Sequence, residues 1–128
     1  MEVRVCAVIP VLNEEKYISK CVESLLSQTI DIDILVLDGG STDNSVDIIK
    51  SFGQDIYFWK SEKDKGIYDA WNKGLKAAKG DIFAVLSSDD YYYKNTFNIV
   101  NKYFNIYYKS RIRINFFYYI LVSILKDI

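Results

Sequence analysis

The chain contains no histidine. That absence removes His-based catalytic triads, Cys-His dyads and most zinc and haem sites. Cysteine is scarce as well: Cys6 and Cys21 form no CxxC pair, and each falls at an apolar position of a predicted strand or helix. Such positions suit buried free thiols in a reducing compartment. Neither a GxGxxG loop nor a Gly-Lys-Ser/Thr phosphate loop is present, which argues against a dinucleotide fingerprint and a P-loop. The longest strongly apolar run, Ile114 to Leu125, is shorter than the ~20 residues of a membrane-spanning helix. Arg4 precedes a short apolar run with no small-residue cleavage site, so the amino terminus reads as a core strand rather than a signal peptide. The net charge of −1 implies no polyanion partner, and hence no nucleic acid.

What is there is globular composition. Half of the 128 residues are hydrophobic and about a quarter are charged, which suits one domain with a modest core. The charge is unevenly spread. Residues 1–90 carry 10 basic and 16 acidic side chains, a net of −6, whereas residues 91–128 carry 6 basic side chains and Asp127, a net of +5. From residue 91 onward there is also no Glu, Ala, Gly or Pro. The composition therefore changes abruptly near residue 91.

Strand and helix periods alternate up to that point. Val5 to Ile9 is a short β-branched run stopped by Pro10. A helical spacing of Tyr17, Ile18, Cys21, Val22, Leu25 and Leu26 follows, with Asn13 as its expected cap and Glu14 and Glu15 in its first turn. Ile32 to Leu37 is the second strand, "DGGSTD" a turn, and Val46, Ile49 and Phe52 mark a helix that Gly53 stops. Ile56 to Trp59 is the third strand. The helix after it turns Ile67, Ala70, Trp71, Leu75 and Ala78 inward, and Ile82 to Ser87 is the fourth strand. Apolar strands separated by helices predict a parallel sheet with helices on both faces and right-handed crossovers, an α/β Rossmann-like architecture.

In such sheets ligands bind beyond the carboxyl ends of the strands. "PVLNEE", "DGGS", "SEKDKG" and "SDD" all follow strands and so share that edge. Asp89 and Asp90 admit two readings. They cap the next helix, or they anchor a hard divalent ion, Mg²⁺ or Mn²⁺, which cancels their mutual repulsion and bridges to a diphosphate. Asp38, Gly39, Gly40 and Ser41 form a tight turn, with Ser41 or Asp43 capping the following helix. Tyr68 and Trp71 read as core packing; Lys65 and Lys73 read as solvated lysines or as diphosphate contacts.

"VIPVLNEEKYISKCVESLLSQT", "VLDGGSTDNS", "DKGIYDAWNKGLKAAKGD" and "FAVLSSDD", in this order and spacing, resemble the nucleotide-binding half of a family 2 glycosyltransferase with the GT-A fold. The resemblance covers about residues 3–100. It implies transfer of a sugar from a nucleotide diphosphate donor, commonly a UDP-sugar, to an acceptor hydroxyl, with metal dependence and inversion at the anomeric carbon. By position it implies that Pro10, Leu12 and Glu14 line the nucleoside pocket and that Asp38, beside Gly39, hydrogen-bonds the base. It further implies that Asp89 approaches the ribose or sugar and that Asp90 holds the metal, where the family carries its DxD-type motif. Lys65, Asn72 and Lys73 are implied donor or diphosphate contacts.

The expected organisation is a donor-binding domain over residues 1–100 and an atypical basic, aromatic tail over 101–128. A helix is expected through "YYYKNTFNIVNKYF", with Phe97, Val100 and Phe104 on one face. No acceptor motif or catalytic base is recognisable after it, so the chain reads as the product of a truncated or frameshifted gene. The tail either packs on the open side of the sheet or lies on an anionic membrane surface, which would place the protein in the cytoplasm at the inner face of a membrane. The competing function is a catalytically deficient fragment that binds donor weakly or serves only as an interaction module. A sugar nucleotidyltransferase would need a Gly-rich loop with Arg and Lys after the first strand, which "PVLNEE" does not supply.

Overall fold

The computed structural model describes residues 3–109 and 119–120. The elements run β1 (Val5–Val11), α1 (Ile18–Leu26), β2 (Ile32–Asp38), α2 (Ser45–Ser51), β3 (Phe58–Ser61), α3 (Ile67–Ala77), β4 (Ile82–Val85), α4 (Thr96–Lys109) and β5 (Tyr119–Ile120). The strands pair in parallel in the order β3-β2-β1-β4-β5. The expected α/β sheet is therefore present, with β1 at its centre.

Side chains alternate across a strand, and this alternation builds two cores. Val5, Ala7, Ile9 and Val11 join Ile34 and Val36 on one face, against Ile18, Val22 and Leu25 of α1, Ile49 of α2 and Phe97 of α4. Cys6, Val8, Leu35 and Leu37 point to the other face, where Ala70 and the half-buried Trp71 of α3 cover them. Both cysteines are free and fully buried. The predicted α4 face is also realised: Phe97 is buried, while Val100 and Phe104 pack against the first core. Gly74 sets the approach of α3 to the sheet, since a Cβ there would lie 2.3 Å from Val8 Cγ1.

Several boundaries differ from the sequence pattern. β1 runs through Pro10 to Val11 instead of stopping at Ile9. The Val8 carbonyl accepts the Leu86 amide and the Val11 carbonyl accepts the Gly39 amide. Alternation thus turns Pro10 toward the β4 side, where β4 has already ended, and a missing N–H costs no ladder bond there. β3 begins and ends two residues later than expected, and β4 stops at Val85.

Helix α1 starts at Ile18, so Asn13 does not cap it and Glu14 and Glu15 are not in its first turn. Asn13 instead adopts φ 52, in the left-handed region that Asn tolerates better than most residues. Its side chain serves another loop. Ile67 and Tyr68, expected inside or packed, are 44% and 74% exposed; Tyr68 meets Trp71 edge to face at 5.3 Å. Asp89 and Asp90 precede Thr96 by at least six residues and cannot cap α4. α4 runs across residue 100 to Lys109. Of the tail, Tyr119 and Ile120 pair with Phe83 and Ala84 at the β4 edge; the proposed membrane-contacting stretch lies otherwise outside the described residues. No helix among the described residues is long and apolar enough to cross a membrane.

Candidate functional site

The strand order reverses between β1 and β4, because β2 and β3 extend from one side of β1 while β4 and β5 extend from the other. Loops leaving the two strands diverge at such a point and open a crevice. A cleft of about 250 Å³ lies there. Pro10, Val11, Leu12 and Glu14 form its β1 side, Ser87, Ser88 and Asp89 its β4 side, and Asp64, Gly66, Ile67 and Ala70 its third wall at the entry to α3. Leu12 and Ile67, both lining it, are 58% and 44% exposed, which gives the cleft apolar contact area beside the carboxylates.

The β1 exit is latched to the β2 exit. Asn13 Oδ1 accepts the amides of Thr42 at 2.8 Å and Asp43 at 3.3 Å, while the Asn13 amide donates to Ser41 Oγ at 2.8 Å. The Glu14 amide donates to Ser45 Oγ, the Glu15 amide to Asp43 Oδ2, and Glu15 Oε2 accepts the Asn44 amide. Asp43 Oδ1 takes the Ser45 amide at 2.9 Å, closing a turn ahead of α2, whose N-cap residue is Asn44 rather than the expected Ser41 or Asp43. These loops are polar because their backbone groups lie outside the ladder and need side-chain partners.

Each wall of the cleft carries one carboxylate, Glu14, Asp89 and Asp64. Partial burial pushes the Glu14 carboxyl above its usual range, and the charges of Asp89 and Asp43 push it further. Beneath them burial raises the Cys21 thiol to about 12, with Asp90, Asp89 and Glu14 adding to the shift. Burial also raises the Tyr92 phenol, helped by Cys21 and Asp90. Desolvation and like charge both penalise the ionised form, so the loop carrying Asp89 and Asp90 and the start of "NEE" share one negative field.

Four of the residues singled out in the sequence meet in the cleft: Pro10, Leu12, Glu14 and Asp89. Asp90 is one residue further on, its amide donating to Ser87 O at 3.0 Å. Asp38 is 3% exposed, and its two oxygens accept from the Gly40 amide, the Ser41 amide, the Ser41 hydroxyl and the Ser61 hydroxyl. It ties the turn together. Gly39 passes under Asp64, where a Cβ would come within 2.7 Å of Asp64 Oδ2. Lys65 and Asn72 are exposed. Lys73 bonds Glu62 at 3.0 Å and Asp69 at 3.1 Å. Among the described residues no group of three or more His, Cys, Asp or Glu side chains is set to hold a metal ion.

Sequence reasoning passed over Asp64, Ile67 and Ser87. Asp64 lies in "SEKDKG", already placed at the functional edge, but the neighbouring lysine drew the assignment. Ile67 fits the helical apolar stripe, and periodicity alone cannot tell an exposed cleft residue from a core residue.

The sequence matches a family model described as "Glycosyl transferase family 2" over residues 6–115. It is 39% identical over 92 residues to a dolichyl N-acetyl-α-D-glucosaminyl phosphate 3-β-D-2,3-diacetamido-2,3-dideoxy-β-D-glucuronosyltransferase of Methanococcus voltae, a match covering 66% of this chain and 28% of that protein. The fold is similar to that of S. aureus TarS residues 1–349 solved in complex with UDP, with a TM-score of 0.75 and 25% identity over 82% of this chain and 33% of that one. It is also similar in fold to a mannosyltransferase from Pyrobaculum calidifontis solved with GDP-Man and Mn²⁺, with a TM-score of 0.66 and 22% identity, covering 72% of this chain and 29% of that one. The chain thus spans about a third or less of the length of these relatives.

Proposed function

The chain belongs to glycosyltransferase family 2, and from that premise we propose that it binds a nucleotide diphosphate sugar, with UDP as the nucleotide, in the cleft between the β1 and β4 exits. The activity proposed is metal-dependent transfer of the sugar to an acceptor hydroxyl with inversion. The observation that carries this reading is the meeting of Pro10, Leu12 and Glu14 with Ser88 and Asp89 in one cleft. The apolar lips Leu12 and Ile67 suit a nucleobase. Asp64, over Gly39 in the turn that Asp38 ties, offers the acceptor oxygen for base N–H groups on that side. Asp89 faces the ribose and sugar. Lys65, Asn72 and Lys73 stand on the α3 side as candidates for the diphosphate, with Lys73 released from Glu62 and Asp69 on binding.

A divalent cation fits the donor set. Mg²⁺ and Mn²⁺ sites of this kind use one or two carboxylates and complete their shell with phosphate oxygens and water, so no all-protein cage is required. Asp90, with Asp89 beside it, would hold the ion, whose charge would offset the repulsion from Asp89 that adds to the effect of burial on Glu14. When bound, the ion supplies charge stabilisation to the diphosphate leaving group. The cytoplasm, at the inner face of a membrane, is the proposed location.

The second reading is donor binding without efficient transfer. Residues 91–128 carry one acid, Asp127. A general base contributes ~10²–10⁴-fold, so a protein acting without one would bind donor and turn it over slowly. Calorimetry with UDP and Mn²⁺ tests the shared premise. The expected result is metal-dependent binding that Asp90→Ala weakens by at least about tenfold; no binding by the unmodified chain would overturn it. Turnover of a UDP-sugar with candidate acceptors then divides the two readings.

A further inference from the structure

The acidic pair sits in a stretch without helix or strand, since β4 ends at Val85 and α4 begins at Thr96. Two adjacent like charges in such a stretch favour conformations that spread them apart. The stretch is held instead by a row of side chains at positions 21, 24 and 28, spaced so that they lie on one side of α1 and its exit. The Cys21 thiol donates to Ser87 O at 3.7 Å. Ser24 Oγ donates to Cys21 O at 2.7 Å and accepts the Tyr92 amide at 3.1 Å. Gln28 is 8% exposed, and its amide group is fully used. Its Nε2 donates to Tyr93 O at 2.9 Å and Ser24 O at 3.0 Å, and its Oε1 accepts the Phe97 amide at 3.2 Å. The anchored positions, Ser87 on one side and Tyr92, Tyr93 and Phe97 on the other, bracket Asp89 and Asp90.

We propose that Ser24 and Gln28 are positioning residues of the donor site, holding the Asp89–Asp90 loop in the arrangement that takes up a divalent cation together with a nucleoside diphosphate. The proposal rests on the donor-binding reading given above. Neither side chain lines the cleft, so both act through the loop. A buried glutamine that satisfies three backbone groups on two elements is costly to place unless all its bonds form. Once they form, they set the loop against α1 in one register. Hard cations demand a narrow range of oxygen positions, and residues that orient metal-binding carboxylates contribute ~10–100-fold to metal affinity.

The test is calorimetry of UDP, with Mn²⁺ and separately with chelator, on the unmodified chain, Ser24→Ala, Ser24→Thr, Gln28→Leu and Asp90→Ala. Ser24→Ala and Gln28→Leu are expected to lower the Mn²⁺-dependent gain in UDP affinity by roughly 10–100-fold. Affinity in chelator, which reads the Pro10 and Leu12 wall, should stay within about twofold, and Ser24→Thr, which keeps the hydroxyl, should keep the gain. Circular dichroism checks folding; if Gln28→Leu does not fold, the Ser24 pair decides. Variants that retain the gain, or that lose affinity equally with and without metal, overturn the positioning role while leaving donor binding intact. An unmodified chain whose UDP affinity Mn²⁺ does not change overturns both this role and the metal reading beneath it.

Discussion

Asn13 Oδ1 accepts the Thr42 amide at 2.8 Å. Twenty-nine residues separate the two in sequence, and the bond joins the loop leaving β1 to the loop leaving β2. Asn13→Ala removes the three bonds that Oδ1 accepts, from the Thr42 amide and hydroxyl and the Asp43 amide, and leaves a Cβ residue at φ 52. It should lower unfolding free energy by about 1–2 kcal/mol in urea titration. Asn13→Gly, which accepts that φ, should cost less than Asn13→Ala; the reverse order would mean that backbone conformation is not what this position demands.

Gly74→Ala tests the contact of α3 with the sheet. Alanine favours a helix over glycine by roughly 1 kcal/mol. Here the added methyl would lie 2.3 Å from Val8 Cγ1, and 3.1 Å from Leu37 Cδ2. Overpacking typically costs 1–3 kcal/mol. A net fall in thermal midpoint is expected, whereas a rise would show that the helix can shift away from β1 freely.

The raised Glu14 carboxyl makes a signed pH prediction. The folded chain holds this proton more tightly than the unfolded chain, whose reference value is 4.5. Glu14 therefore favours the fold below about pH 4.5, and that contribution is lost as pH rises through the raised folded value. Glu14→Gln should be more stable than the unmodified chain at pH 7, with the difference shrinking toward pH 4. Denaturant midpoints of both proteins across that range check it. An advantage independent of pH would place its origin elsewhere than charge.

Leu12 offers an apolar face with no ring. Leu12→Tyr should strengthen UDP binding about fivefold, because stacking an aromatic ring on a base contributes ~1 kcal/mol or more. Leu12→Ser should weaken it by a similar factor. Equal affinities across the three would mean that the base does not sit against this wall of the cleft.

Much of the fold was legible because periodicity is a local property. Val5 to Ile9, Ile34 to Leu37 and the apolar part of the Ile82–Ser87 run are apolar on both faces, which suits a covered parallel sheet. The failures came where a residue's partner is distant. Asn13 has the composition of a helix cap, yet its acceptor bonds go to residues 42 and 43. Pro10 looks like a strand end, yet it continues β1 because the neighbouring strand has already stopped. Ile67 carries the right spacing for a core residue but stands where the core has given way to the cleft.

The site divides in the same way. The sequence by itself placed polar loops after each apolar strand and put Leu12, Glu14 and Asp89 on one edge, because strand direction and side-chain alternation follow from nearest-neighbour geometry. Only the tertiary structure decided that β4 lies beside β1, bringing Asp89 into the same cleft as Leu12 and Glu14. It also decided that Asp38 turns inward to satisfy the Gly40 and Ser41 amides, while Asp64 lines the cleft. Strand order is set by how helices of given length and apolar face cover the two sides of the sheet. That is a sum over contacts between remote segments, which no local pattern encodes.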